Sequence, residues 1–263
     1  DIEFNMQIQG HGTPFMWGNG MTNNIDTEDW LGWFDWPSFP ASIRLIRYDA
    51  RGHGASSPSS EPNDYRWPAL ADDMLAIADA IGIGRFVAGG ASMGASTAIH
   101  AAMKEPDRIK AMVLVIPPTA WETREAQAAG YEASARLVAD VGSDAFAGMV
   151  RAQADQLLAP WMLEDAPQMI EGAVRGLLSQ TTESLEALYL GAGNSNLPDP
   201  DAFSRIAHIP SLILPWTDDV GHPVSTAERL HELLPDSELL VQPGLAGLEA
   251  FPSHIKTFVE AHA

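Results

Sequence analysis

The chain has 263 residues, enough for one α/β domain with an insertion and a sizeable core. Its 15 Lys and Arg stand against 35 Asp and Glu, a net charge of −20 that argues against nucleic acid or an anionic membrane surface as partner and fits a well-solvated surface. Cysteine is absent, which excludes disulfides and thiol chemistry. No apolar run reaches transmembrane length and no secretory leader is read, so a cytoplasmic location is expected.

Taken in order, the segments alternate between strand and helix character. Phe15, Met16 and Trp17 form a short apolar run, followed by the loop Gly18, Asn19, Gly20. Residues 43–48 read as a strand ending at Asp49, and Leu70, Met74, Ile77 and Ile81 recur at helical spacing within residues 66–82. Residues 85–89 read as a buried strand, residues 95–103 as an Ala-rich helix and residues 111–116 as another buried strand. Such alternation calls for a mostly parallel sheet covered on both faces.

The pattern changes near residue 118. Residues 121–190 hold helical stretches and no strand, interrupted at Gly142, Pro160 and Pro167. A Gly-, Asn- and Pro-rich linker spans residues 191–200, and strand character returns at residues 211–214. Ser225 and Glu228 are spaced as a capping box opening a helix to Leu234. Residues 238–241 read as the last strand, and Ile255, Phe258 and Val259 as one face of a terminal helix. The expected division is a core of residues 1–118 and 206–263 with a helical cap of residues 119–205 over the strand ends, where open α/β sheets bind ligands.

Residues 90–94, Gly-Ala-Ser-Met-Gly, lie between the strand at 85–89 and the helix at 95–103. A serine between glycines at a strand-to-helix turn is a nucleophile elbow, with the Ser92 hydroxyl pushed over the sheet edge and a helix N-terminus beside it.

Three landmarks together resemble the α/β-hydrolase superfamily over nearly the whole chain. Gly18-Asn19-Gly20-Met21 resembles its oxyanion loop, with Asn19 in place of the usual histidine. Residues 48–56, Tyr-Asp-Ala-Arg-Gly-His-Gly-Ala-Ser, are very similar to its D-x-R-G-x-G-x-S segment, and residues 90–94 are the elbow. The resemblance implies a serine hydrolase of small ester, lactone or related acyl substrates that needs no cofactor. It implies oxyanion donors at the Met21 and Met93 amides and an acid after the strand at 211–214 in a D-x-x-x-P setting. Asp219 with Pro223 fits that spacing, with Asp218 as competitor and a turn aspartate as the plainer reading.

The family's histidine after the last strand is missing: Leu248 follows Gly247 where a Gly-His pair is expected. Without an imidazole to take its proton, a serine hydroxyl is a poor nucleophile at neutral pH. His222, three residues after Asp219, is the best substitute, against its reading as a loop histidine capping its own turn. His254 reads as a solvated helix position, His53 as part of its turn, and His11, His100, His208, His231 and His262 carry no assigned role. No histidine pair at i, i+4 has an acid nearby, so no metal site is expected. Of the eight tryptophans, Trp30, Trp33 and Trp36 cluster after the oxyanion loop and Trp121 and Trp161 fall in the cap. Asn19, Trp121 and Trp161 are the candidate substrate-pocket residues, with ordinary packing as the alternative for each tryptophan. The competing functional reading is a scaffold that binds ligands without hydrolysis, a base-disabled member of the fold, or a lyase or transferase on it.

Overall fold

Apolar residues dominate the central strands because neighbouring side chains enter opposite faces that are both buried. In the computed structural model, which describes residues 2–262, the order is β1 (Met6–Gln9), β2 (Thr13–Gly18), α1 (Ile25–Leu31), β3 (Ile43–Tyr48), α2 (Trp67–Ala80), β4 (Phe86–Ala91), α3 (Met93–Lys104) and β5 (Ile109–Val115). Six helices follow: α4 (Arg124–Val141), α5 (Ser143–Ala152), α6 (Ala154–Leu157), α7 (Pro160–Asp165), α8 (Gln168–Leu178) and α9 (Thr182–Gly193). Then come β6 (Ser211–Leu214), α10 (Val224–Leu233), β7 (Ser237–Leu239) and α11 (Gly244–Ala261).

The strands make one seven-stranded sheet in the order β1-β3-β2-β4-β5-β6-β7, parallel throughout except for β1 against β3. Met16, Ile46, Ala88, Met112 and Ile213 face the core under α2, α3 and α9. Their neighbours Trp17, Leu45, Val87, Val113 and Leu212 face the core that contains Trp36, Leu248 and Phe251. This two-sided burial is why the strands read as apolar runs instead of alternating ones.

The helices between β5 and β6 are seated on the sheet's own layers. Within the segment α4 packs on α9 and α5 on α8, while α8 rests on α1 and α7 on α11. No helix among the described residues is long and apolar enough to cross a membrane.

Several boundaries differ from expectation for identifiable reasons. The antiparallel edge strand β1 alternates Met-Gln-Ile-Gln over only four residues, too short to stand out, and is only partly buried, with Ile8 exposed. The capping box does not form: α10 opens at Val224 after Pro223, so Ser225 already lies inside the helix and makes no cap. β7 is three residues long, with the Trp216–Gln242 bridge extending the pairing beyond it. The terminal helix begins at Gly244 and runs through Pro252, a residue that reads as a breaker. Leu248 thereby enters the core at 1% exposure.

One buried acid underlies the nucleophile side of the sheet. Glu28 on α1 accepts the indole N–H of Trp17 at 3.0 Å and of Trp36 at 3.3 Å, with Arg47 at 3.9 Å. Burial outweighs these contacts and pushes its carboxyl up to about 7.

Candidate active site

Ser92 sits where β4 turns into α3, with φ 53° and ψ −110°, in a region that L-residues seldom occupy. Its amide donates to the Val115 carbonyl at 2.9 Å. The flanking glycines are required by close approach: a Cβ at Gly90 would fall 2.6 Å from the Gly18 carbonyl oxygen, and one at Gly94 only 2.0 Å from it. Strand, helix and the loop after β2 therefore meet at a spacing that no side chain permits. Around this point the backbone is held unusually at several places, since Ile116, Trp121 and Asp218 also have positive φ.

The loop after β2 lies against the elbow, with a Cβ at Gly20 falling 3.8 Å from that of Ser92. Asn19 shapes it. Its Oδ1 accepts the Ala50 amide at 2.8 Å, and its Nδ2 donates to the Gly20 and Asn23 carbonyls at 2.9 and 2.7 Å. With its polar atoms used on backbone and 2% exposure, the Asn19 side chain braces the loop and has nothing left to offer a pocket. The ring nitrogens of buried His53 lie 2.9 Å from the Arg51 and Met21 carbonyls, tying the same loop to the Arg-Gly-His-Gly turn. Asp49 accepts the Ile25 amide at 2.7 Å at the start of α1, and Arg51 holds Asp73 on α2 through Nε at 3.0 Å and Nη2 at 2.6 Å.

Met93 is the first residue of α3, so its amide is among the N–H groups that have no partner within the helix. Its side chain and the partly buried one of Met21 pack into the core under α2 and α3.

Opposite the elbow lies the loop after β6. His222 Nδ1 donates to Asp219 Oδ2 at 2.7 Å, and Ser92 Oγ is 2.8 Å from His222 Nε2. A carboxylate only accepts, so the proton sits on Nδ1 and Nε2 receives the serine hydroxyl. The exposed Asp218 instead accepts the Thr217 hydroxyl at 2.8 Å. Asp219 also accepts the Gly221 amide on Oδ1 and the Trp216 indole N–H on Oδ2, each at 2.8 Å. Burial favours its neutral form, but the electrostatic attraction and hydrogen bond of His222, the Gly221 amide and the Trp216 indole outweigh it and hold the carboxyl at about 2.

Trp216 has no place in the sequence reading. It lies two residues past β6, and its only signal is that a buried indole N–H needs an acceptor. Its ring meets that of His222 edge-on at 6.0 Å and that of Trp161 at 5.7 Å. The Trp161 indole donates to the Thr217 carbonyl at 3.1 Å, so this helical-segment tryptophan does reach the loop. Trp121 turns elsewhere, with its indole on the Pro198 carbonyl at 2.9 Å and its ring against Phe203 at 6.1 Å. Of the clustered tryptophans, Trp36 packs on Trp17 while Trp30 is 45% exposed. No group of three metal-ligating side chains occurs among the described residues. A hydroxyl, an imidazole and a carboxylate in hydrogen-bonded sequence can deprotonate the hydroxyl as it attacks an electrophile.

Residues 27–246 match the family model described as alpha/beta hydrolase fold. The chain is 30% identical to 3-oxoadipate enol-lactonase 2 of Acinetobacter baylyi over 219 residues, covering 83% of this chain and 74% of that protein. It is 28% identical to the putative carbamate hydrolase RutD of Agrobacterium fabrum, over 75% of this chain and 73% of that one. Among solved structures, a thermophilic esterase from Thermogutta terrifontis superposes with TM-score 0.75 at 23% identity, over 99% of this chain and 92% of that one. The enol-lactonase from Burkholderia xenovorans gives 0.73 at 19% identity, over 99% and 95% of the two chains. With a family model spanning most of its length and a seven-stranded, mostly parallel sheet between helical layers, the chain belongs to the alpha/beta hydrolase family.

Proposed function

We propose that the protein is a serine hydrolase of small ester, lactone or related acyl substrates, with Ser92 as nucleophile, His222 as base and Asp219 as the acid that orients it. One observation carries this reading: His222 lies 2.8 Å from Ser92 Oγ and 2.7 Å from Asp219 Oδ2 at once, so the imidazole absent at Leu248 is supplied by another segment. The names of its relatives, a lactonase and a carbamate hydrolase, agree with such chemistry.

In this mechanism Ser92 Oγ attacks the acyl carbon while His222 Nε2 takes its proton. Negative charge developing on the acyl oxygen meets the amides of Met93, at the N-terminus of α3, and Met21. Asp219, ionised at neutral pH because its carboxyl is held near 2, stabilises the imidazolium and fixes the proton on Nδ1. His222 then protonates the leaving group and activates the water that releases the acyl group. Residues 119–205 act as a cap over the site, with Trp161 and Trp216 as an apolar wall beside His222.

The deciding experiment is intact mass after reaction with a fluorophosphonate, using Ser92→Ala as control. Stoichiometric labelling that vanishes in the variant is the expected result. A parent protein that stays unlabelled while folded overturns the reading.

A further inference from the structure

Acid and base share one loop, residues 215–223, so whatever holds that loop holds both groups. One tether comes from the turn that leaves β5. The Thr119 amide donates to the Gly221 carbonyl at 3.1 Å, and the Gly221 amide donates to Asp219 Oδ1 at 2.8 Å. That turn includes Ile116 at φ 41°, an unfavourable value for a β-branched residue, so its shape depends on what surrounds it.

Arg124 surrounds it. The residue is 4% exposed, and its Nη1 donates to Thr119 Oγ1 at 3.2 Å. Nε donates to the Ser195 carbonyl at 2.8 Å and Nη2 to the Ala192 carbonyl. Its carbon lies 4.4 Å from the centre of the Trp67 ring and 5.3 Å from that of Tyr131. Each of these acceptors is neutral. The carbonyls at the C-terminal end of α9 offset part of the charge, yet burial still lowers the pKa of this arginine. A buried cation without a carboxylate is a poor way to gain stability, since apolar residues of similar volume often serve as well. What the fork supplies that an apolar residue lacks is a fixed set of bonds joining Thr119 to the end of α9.

We propose that Arg124 is a positioning residue for the triad: it clamps Thr119, and the Thr119–Gly221 bond keeps Asp219 and His222 aligned with Ser92. The consequence for turnover rests on the serine-hydrolase reading, whereas the position of the imidazole is measurable without catalysis. Arg124 also lines a cleft of about 460 Å³ with Arg66, His100, Asn194 and Asn196. Guanidinium ion from solvent can therefore reach the space that a shortened side chain would leave.

The test compares the parent with Arg124→Ala and Arg124→Lys, with folding checked by circular dichroism. It follows the proton shared by His222 Nδ1 and Asp219 in the proton NMR spectrum, assigned by its loss in His222→Gln, together with the rate of fluorophosphonate labelling and ester kinetics. Arg124→Ala is expected to broaden or lose that resonance and to lower kcat and labelling by at least about tenfold, with KM changed less than about twofold. Millimolar guanidinium should restore both, and Arg124→Lys, which keeps charge but not the fork, should fall between. An unchanged resonance and labelling rate in folded Arg124→Ala overturns the proposal, as does a loss that only tracks unfolding and resists guanidinium. Should the alanine variant not fold, parent-like behaviour of Arg124→Lys overturns it equally. A parent that shows the shared proton but never labels would remove the hydrolase reading and leave the resonance to decide the role of Arg124.

Discussion

The two sides of the proposed catalytic cleft are built differently. On the nucleophile side, Ser92 is fixed by backbone: glycines at 90 and 94 allow strand, helix and loop to touch, and Asn19 and His53 spend their polar atoms on carbonyls and an amide. On the other side, the proposed acid and base are side chains three residues apart on one loop, with the Trp216 indole and the Gly221 backbone amide on the carboxylate. The first side follows the family's sequence pattern closely, and the second departs from it at Leu248. A proton-relay partner is defined by where its nitrogen arrives, and more than one segment can deliver it.

That contrast breaks most visibly at the base. His222→Ala is expected to lower kcat/KM by about 10³-fold or more, measured on an activated ester, while Ser92→Ala abolishes labelling. Parent-like turnover in His222→Ala would return the base to another segment. The converse substitution, Leu248→His, is expected to add no activity to the parent. It places a polar ring in the core beside Phe251 and should cost about 2–3 kcal/mol by urea unfolding. A gain in rate there would mean that an imidazole at position 248 competes with His222.

Stability on the nucleophile side should carry a pH signature. Glu28 is raised to about 7 in the folded protein against 4.5 when unfolded, so the native state holds the extra proton between these values. Its contribution is complete below about pH 4.5 and is lost as pH rises through about 7, by up to about 3 kcal/mol. Glu28→Gln, which keeps an acceptor for the indoles, should flatten that decline in Tm between pH 5 and 8, and an equally steep decline in the variant would place its source elsewhere. The smallest expected effect tests the loop that carries Asp219 and His222. Trp216→Phe removes one donor from Asp219 and should lower kcat/KM by about tenfold, with labelling retained.

The elements legible in sequence are those whose signal is local. The elbow, the Asp-Ala-Arg-Gly-His-Gly turn, the alternating segment at 43–48 and the buried run at 111–116 announce themselves because glycine placement and strand burial constrain each residue type. Asp219 and His222 stand out as an acid and an imidazole at short spacing in a turn-rich loop, although whether the imidazole reaches Ser92 is a matter of three dimensions. Other features depend on partners far along the chain. Asn19 reads as a pocket residue until its bonds to Ala50 and Asn23 are seen, and Trp121 until its indole is found on Pro198. Trp216 goes unremarked because sequence does not show an indole its acceptor. Ser225 lost its cap because Pro223 and Val224 start the helix early, and α11 hid its first two turns behind Pro252.

The three-residue spacing of Asp219 and His222 also makes this half of the chemistry portable. Where the two groups come from separate segments, moving them to a new scaffold means grafting two loops and matching their positions. Here a single exchange of residues 215–223 would carry the proposed acid and base and the indole bonded to the carboxylate, and the region around Leu248 would be released to pack as ordinary core.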